Sequence, residues 1–414
     1  ALFVPESELE NALTVLANHG QSQRSRESEH PMALRHPASP HLPMPAWAPT
    51  EVSGSAMSAL DRWFVELVQA NPQLRIRIGN PDELASNKMG ATLALLKHRV
   101  NVPEPGVPES TDGSVVTALN EEAVAAAALA NKGGLNLIVS YEAFAVKMLG
   151  LMRQEIIFAR RQKELGQPPG WISVPLIVTS HTWENSKNEQ SHQDPTIGEA
   201  LLGEMSDTAR VLFPVDENTA CAALRAVYAS RGQVACVVVS KRDTPNHFSA
   251  AAAQSLIEHG AAHVAGDPST AQLQFVAIGA YQLEEALKAH ARLEHHGLAS
   301  CITVVVEPGR LRIPRDELEA AFVLGDESLQ ALFPPHLPRV LISHTRPEPM
   351  LGVLRRIDSG PSKTRALGYI NHGGTLDVAG MLIANRCTWV DAIYAAAQVT
   401  GWNSSQAAAA ATDA

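Results

Sequence analysis

The run "SHTWENSKNEQSHQDPT", residues 180 to 196, sets histidines, acids, amides and hydroxyls directly behind the apolar stretch "VPLIV". His181 and His192 are its acid–base candidates, because imidazole changes charge near neutral pH. Lys187 and Asn188 put a cation and an amide between them. These two histidines fit metal binding poorly: their spacing is not a standard ligand spacing, and no cysteine or third histidine lies close in sequence. Glu121 and Glu122 stand together in "LNEEA", where first-turn acids would stabilise a helix dipole. Ser86 in "DELASNKM" is placed to cap a helix, with Asn87 beside it. Lys241 follows the apolar run "VACVVVS", and "NHGGT" (371–375) has backbone N–H groups to offer an anion.

The elements that must position these residues alternate. "SALDRWFVELVQAN" reads as an amphipathic helix closed by "ANP". "EEAVAAAALANKGG" is a helix ending on glycines. "LNLIVSY" is a strand, "EAFAVKMLGLMRQEIIFARRQKELG" helical, "VPLIVTS" a strand, "TIGEALLGEM" a helix, "ARVLFPV" a strand, "ENTACAALRAVYASRG" a helix and "QVACVVVSK" a strand. Continuous apolar strands in this rhythm predict a parallel sheet covered on both faces. A second unit begins near residue 270. "LQFVAIG", "SCITVVV", "PRVLISH" and "RALGYIN" are its strands, and "AYQLEEALKAHARLEHHG", "RDELEAAFVLG" and "WVDAIYAAAQ" its helices. The end, "SSQAAAAATDA", is low in complexity and expected to fray. The fold class is therefore α/β, with two doubly wound, mainly parallel-sheet domains. We expect a tail and interdomain linker over 1–55, a larger α/β domain over 56–265 and a smaller one over 266–414. The polar run at 180 then sits beyond the C-terminal end of a parallel strand, where open α/β sheets bind ligands. Its side chains are expected to line the mouth of a cleft and not to pack in the core.

Bulk composition narrows the function classes. With 414 residues, 45% hydrophobic and 18% charged, the chain is globular and too long for one small core. A net charge of -10 argues against a broad nucleic-acid surface. No apolar run is long enough to span a membrane. The four cysteines, Cys221, Cys236, Cys301 and Cys387, follow no zinc-ribbon or C-x-x-C spacing. They read as buried free thiols, which suggests a reducing, cytoplasmic compartment. The chain opens on "ALFVPESE" without an initiator methionine, as a processed product or part of a longer one would.

Four segments, "GNPDELASNKM" (79–89), "LNEEA" (119–123), "SYEAF" (140–144) and "SHTW…SHQDP" (180–195), stand in the order seen in phosphoketolases, and "GYINHGGTLDVAGM" (368–381) resembles that family's C-terminal loop. The resemblance runs from about residue 60 to 398. Phosphoketolases are thiamine diphosphate enzymes related to transketolase, built from three α/β domains. This chain looks like the pyrimidine-binding and C-terminal domains alone. The Gly-Asp-Gly motif that holds diphosphate and magnesium is absent, so the metal is expected mainly on a missing domain or subunit. The resemblance makes Glu121 the carboxylate beside the pyrimidine, with Glu122 one step away as the alternative. It makes Tyr141 and Phe144 the stacking wall, and His192 and His181 acid–base groups. It gives Ser86, Asn87, Lys187, Asn188 and Lys241 contacts to substrate or phosphate. Lys187 stands where the family has histidine. The implied reaction is cleavage of xylulose 5-phosphate or fructose 6-phosphate with phosphate, giving acetyl phosphate and an aldose phosphate, in a homodimer of the complete enzyme. A divergent lyase acting on another 2-hydroxyketone and a non-catalytic partner subunit are the alternatives.

Overall fold

The computed structural model describes residues 4–21, 37–185 and 188–412. Two compact units are present, Ala1–His36 and Pro37–Ala414. The first contains the solvent-exposed helix Glu6–Gln21. Everything below concerns the second.

An eight-stranded sheet forms its first half. In spatial order the strands are Glu109–Ser110, His98–Arg99, Val115–Thr117, Arg75–Asn80, Gly134–Tyr141, Val174–Thr179, Val234–Val238 and Ala209–Leu212. Every pairing is parallel. The apolar runs are continuous because both faces are covered. Along the central strand Leu135, Leu137 and Val139 pack with Leu60, Phe64 and Leu224 on one side, while Ile138 packs with Val124 and Met152 on the other. That is the period-2 alternation of a strand buried twice.

The second sheet has the order Ala261–Ala265, Ser300–Val305, Leu273–Ile278, Arg339–Ser343, Thr364–Leu367. Its first pairing is antiparallel and the rest parallel. Both apolar layers continue into it, through Phe275 on one side and Val276 and Ile278 on the other. A buried bidentate pair also joins the halves: Arg210 Nε and Nη2 donate to Glu307 Oε1 and Oε2 at 2.6 and 2.8 Å. Together with the transketolase-like neighbours reported below, this is the expected α/β class.

Local departures have physical causes. "RDELEAAFVLG" gives only the single turn Glu317–Ala320, since Glu319 folds back to accept from the backbone N–H groups of Arg315 and Ser206. "RALGYIN" keeps strand only to Leu367. The alanine-rich end does not fray among the described residues. It forms the helix Ser404–Thr412, with Ala407 and Ala410 buried in the core, because alanine favours helix and its small side chain permits close packing. Residues 37–50 run without helix or strand, tied down by Asn71 Oδ1 accepting from His41 N and Asn218 Oδ1 accepting from Ala48 N. All four cysteines are free and buried, and burial pushes the thiols of Cys301 and Cys221 up to about 11 and about 12. Among the described residues no helix is long and apolar enough to cross a membrane.

Candidate active site

A cleft of about 680 Å³ opens at the C-terminal ends of the first sheet's strands, lined by Ser86, Tyr141, Ser180, Glu184, Asn188 and Lys241 among others. Its volume suits a small polar ligand. Tyr141 belongs to its wall and begins an aromatic shelf that continues to Phe144 and His192. The rings of Tyr141 and Phe144 lie 6.1 Å apart, 28° from parallel. His192 meets Phe144 edge-on at 4.8 Å, and its Nδ1 is 3.0 Å from Ser191 Oγ. Ser86 Oγ lies 3.2 Å from the Tyr141 hydroxyl, and Lys241 Nζ sits 5.1 Å over the Tyr141 ring while donating to Ser86 O.

Glu121 reaches the same corner from the first turn of the helix Glu121–Leu129, which Asn120 caps by accepting from Ala123 N. That helix can lie on the strand Arg75–Asn80 because Gly79 has no side chain; a Cβ there would come within 2.3 Å of Val124 O. Glu121 Oε1 accepts from Lys147 Nζ at 2.7 Å, and the same ammonium sits 5.0 Å over the Phe144 ring. Glu122, on the same turn, is exposed. Asp82 Oδ2 accepts from Tyr141 N at 3.1 Å, and its partial burial pushes the carboxyl up.

Directly behind the shelf lies a buried polar knot. Glu142, one residue beyond Tyr141, has no access to solvent to speak of at 1% exposure. Its Oε2 accepts from Thr182 N and Oγ1, both at 2.8 Å, and its Oε1 lies 2.8 Å from His344 Nε2. Burial alone would raise this carboxyl; the His344 imidazole and the Thr182 N–H outweigh it and hold Glu142 below the usual value. Ser180, at φ 44°, occupies the left-handed region, which costs a non-glycine residue ~1–3 kcal/mol. Just past this turn His181 is buried, 4.9 Å from the His344 ring. Burial pushes the His181 imidazole down, so it is neutral near neutral pH. Glu184 Oε1 lies 3.7 Å from His181 Nε2 and also accepts from Ser240 Oγ and from the Tyr281 hydroxyl at 2.6 Å. Lys241 N donates to Glu184 Oε2 at 2.9 Å. Burial would raise Glu184 too, and His181 with these donors holds it low.

The sequence candidates therefore divide. Glu121, Tyr141, Phe144, His192, Ser86 and Lys241 come together at the shelf. Asn188 lines the cleft, its Nδ2 donating to Asn185 Oδ1 at 3.0 Å. Lys187 lies outside the described residues. Asn87 is fully buried, its Nδ2 donating to Glu83 O, so it does not line the cleft. The expectation that the whole 180–196 run lines the mouth is corrected: His181, Thr182 and Trp183 are buried, because the Glu142 carboxylate accepts from Thr182, the His344 carbonyl accepts from Trp183 Nε1, and the His181 ring packs against those of His344 and Tyr281. Sequence reasoning missed Glu142, Lys147, Glu184, Tyr281 and His344. His344 carried a signal, since "SHT" occurs at 343–345 as well as 180–182.

Comparison with known proteins agrees with this architecture. The fold is transketolase-like: transketolase from Leishmania mexicana superposes over 87% of this chain and 47% of its own, with a TM-score of 0.63 at 19% identity. A chain described as "Split gene transketolase, inactive beta4 tetramer" matches over 84% of this chain and 98% of its own, with a TM-score of 0.56 at 16% identity. Within that class the resemblance is to phosphoketolases. Residues 58–230 match the family model "D-xylulose 5-phosphate/D-fructose 6-phosphate phosphoketolase". A "Probable phosphoketolase" of Lactococcus lactis subsp. lactis is 27% identical over 292 residues, which is 67% of this chain and 35% of that protein. The chain thus spans well under half the length of the curated relatives it matches.

Proposed function

We propose that this chain is the pyrimidine-binding half of a phosphoketolase-like lyase and works with a diphosphate-binding domain or subunit. The observation that carries the reading is the aromatic shelf: Tyr141 and Phe144 stacked, His192 edge-on and Glu121 at the adjoining helix start, all at strand C-termini. The residues present fit the aminopyrimidine of thiamine diphosphate. Two rings offer a stacking face, and a carboxylate at 13% side-chain exposure can share a proton with a ring nitrogen. They do not supply a diphosphate cradle, since the sequence has no Gly-Asp-Gly run. Magnesium would accordingly be held mainly by the partner.

When bound, the cofactor supplies the carbon nucleophile and the electron sink. This chain's residues bind, orient and move protons. Ser191 engages His192 Nδ1, so proton exchange with a ketose hydroxyl falls to Nε2. Lys241, Arg242 and Lys88 in the cleft wall, and Lys187, offer cations to a sugar phosphate. The likeness to the phosphoketolase family model names the substrate as xylulose 5-phosphate or fructose 6-phosphate, with acetyl phosphate as the product that family chemistry implies.

One contact favours a second reading. The Lys147 ammonium already pairs with Glu121 and covers the Phe144 face. Under that reading the chain is a non-catalytic partner. The deciding experiment is acetyl phosphate formation from either ketose phosphate by this chain mixed with a Gly-Asp-Gly-bearing half. The lyase reading expects turnover that His192→Ala lowers by ~10²–10⁴. No turnover by a folded, assembled complex supports the partner reading, and unchanged turnover in His192→Ala removes this histidine from the chemistry.

A further inference from the structure

The tripeptide Ser-His-Thr occurs at 180–182 and again at 343–345. The first copy follows the parallel strand Val174–Thr179 of the first sheet, and the second closes Arg339–Ser343 of the second sheet. The fold sets their histidines ring to ring, 4.9 Å apart and 81° from parallel. Glu142 joins them from the end of the neighbouring strand. One ring nitrogen from each histidine and one carboxylate oxygen of Glu142 lie within 4.8 Å of one another. All three residues are buried.

The hydrogen bonds of this knot do not close. Glu142 Oε2 is saturated by the two Thr182 donors, while Oε1 meets only His344 Nε2. His181 Nδ1 is buried with no hydrogen-bond partner. An unsatisfied buried polar atom costs ~1–3 kcal/mol. The ring that carries it has one nitrogen within 4.8 Å of the Glu142 carboxylate and of a His344 ring nitrogen.

We propose that Glu142, His181 and His344 form a divalent-cation site of the zinc type that ties the ends of the two sheets together. Two imidazole nitrogens and one carboxylate oxygen are the donor set of Zn²⁺ or Co²⁺, whereas Mg²⁺ and Ca²⁺ take oxygen donors. The site is therefore separate from any magnesium that accompanies a diphosphate. Its surroundings match what metal-ligating residues require. Glu184 Oε1, fixed by Ser240 and Tyr281, stands 3.7 Å from His181 Nε2 as an outer carboxylate. Thr182 orients the Glu142 carboxylate. A metal takes His344 through a bare ring nitrogen, so a proton on Nε2 moves to Nδ1 of the same ring, or to solvent if both nitrogens carry one.

The test is titration of the metal-stripped full chain with ZnCl₂ against a chromogenic chelator, and with CoCl₂ read by visible d–d absorption. One equivalent per chain is expected. His344→Ala and Glu142→Gln should each weaken binding at least as much as the ~10–100-fold typical of losing an outer-shell partner. His259→Ala, at an exposed histidine on the helix Ala250–His259, should leave it unchanged. If the site variants do not fold, X-ray absorption of the zinc-loaded wild type decides, with two imidazole ligands expected. No stoichiometric uptake by the folded wild type, uptake undiminished in folded His344→Ala, or zinc ligation without imidazole each overturns the proposal.

Discussion

Tyr141 and Glu142 are neighbours in sequence and belong to opposite regions. Tyr141 faces the cleft with Phe144, His192 and Lys241 around it, in a partly solvated setting where side chains can turn to meet a ligand. Glu142 points the other way, into a dry knot with His344, Thr182 and His181, where every carboxylate is held ionised by neighbours and the His181 imidazole is held neutral by burial. The same residue types thus do different work. At the shelf they are exposed to whatever binds; in the knot they join strand ends of two sheets and fix the strand from which the shelf projects. Polarity in a sequence marks where hydrogen bonds are needed, and the hydrogen bonds are as often internal as to a ligand.

The two regions should part most sharply at Glu142. Glu142→Ala leaves His344 and Thr182 without their acceptor, and losing one partner of a buried pair costs ~3–5 kcal/mol. Urea unfolding should show that loss; a cost no larger than that of a surface substitution would mean that the knot holds nothing. Next is Gly79→Ala, which links the regions by pushing the Glu121 helix off its strand. Overpacking of this kind costs ~1–3 kcal/mol, and under the proposed function the affinity of the chain mixed with a diphosphate-binding half for thiamine diphosphate should fall with it. Affinity unchanged would separate Glu121 from the shelf.

Acidification should weaken the knot. His181 has a folded pKa below its unfolded value of ~6.5. The unfolded chain therefore binds more protons there, and stability falls as pH drops below that value, by at most ~1.4 kcal/mol per pH unit for one group. Glu142 and Glu184 have depressed folded pKa values, so their contributions are present above the ordinary carboxylate range and disappear as pH falls through the folded values. The urea midpoint should decline steadily from pH 7 to 5, with a flatter slope in His181→Asn. The smallest effect belongs to the shelf: Tyr141→Phe loses one contact with Ser86 Oγ, worth ~0.5–1.5 kcal/mol.

Much of this was legible. The apolar strands announced the parallel sheets because burial on both faces leaves no polar alternation to obscure them. Motif order singled out Glu121, Tyr141, Phe144 and His192, and the fold sets them at one corner. His181 was read as cleft-facing because its run is polar; its burial depends on Glu142 and on His344, which arrives from a different sheet. No local pattern encodes that meeting, although the repeated "SHT" hinted at it. Lys147 was missed because it reads as an ordinary helix lysine, and only the fold brings it to Glu121. The alanine-rich end was misjudged because composition does not reveal whether a neighbouring groove exists.

We propose that the shelf, and not the knot, takes the pyrimidine half of thiamine diphosphate. Calorimetric titration of the cofactor with magnesium into this chain mixed with a diphosphate-binding half tests it most directly, comparing wild type with Phe144→Ala. Tight binding is predicted only for the mixture, and Phe144→Ala should weaken it roughly tenfold or more, about 1.4 kcal/mol per decade, with unfolding little changed. Equal affinity in Phe144→Ala, or tight magnesium-dependent binding by this chain alone, would contradict it.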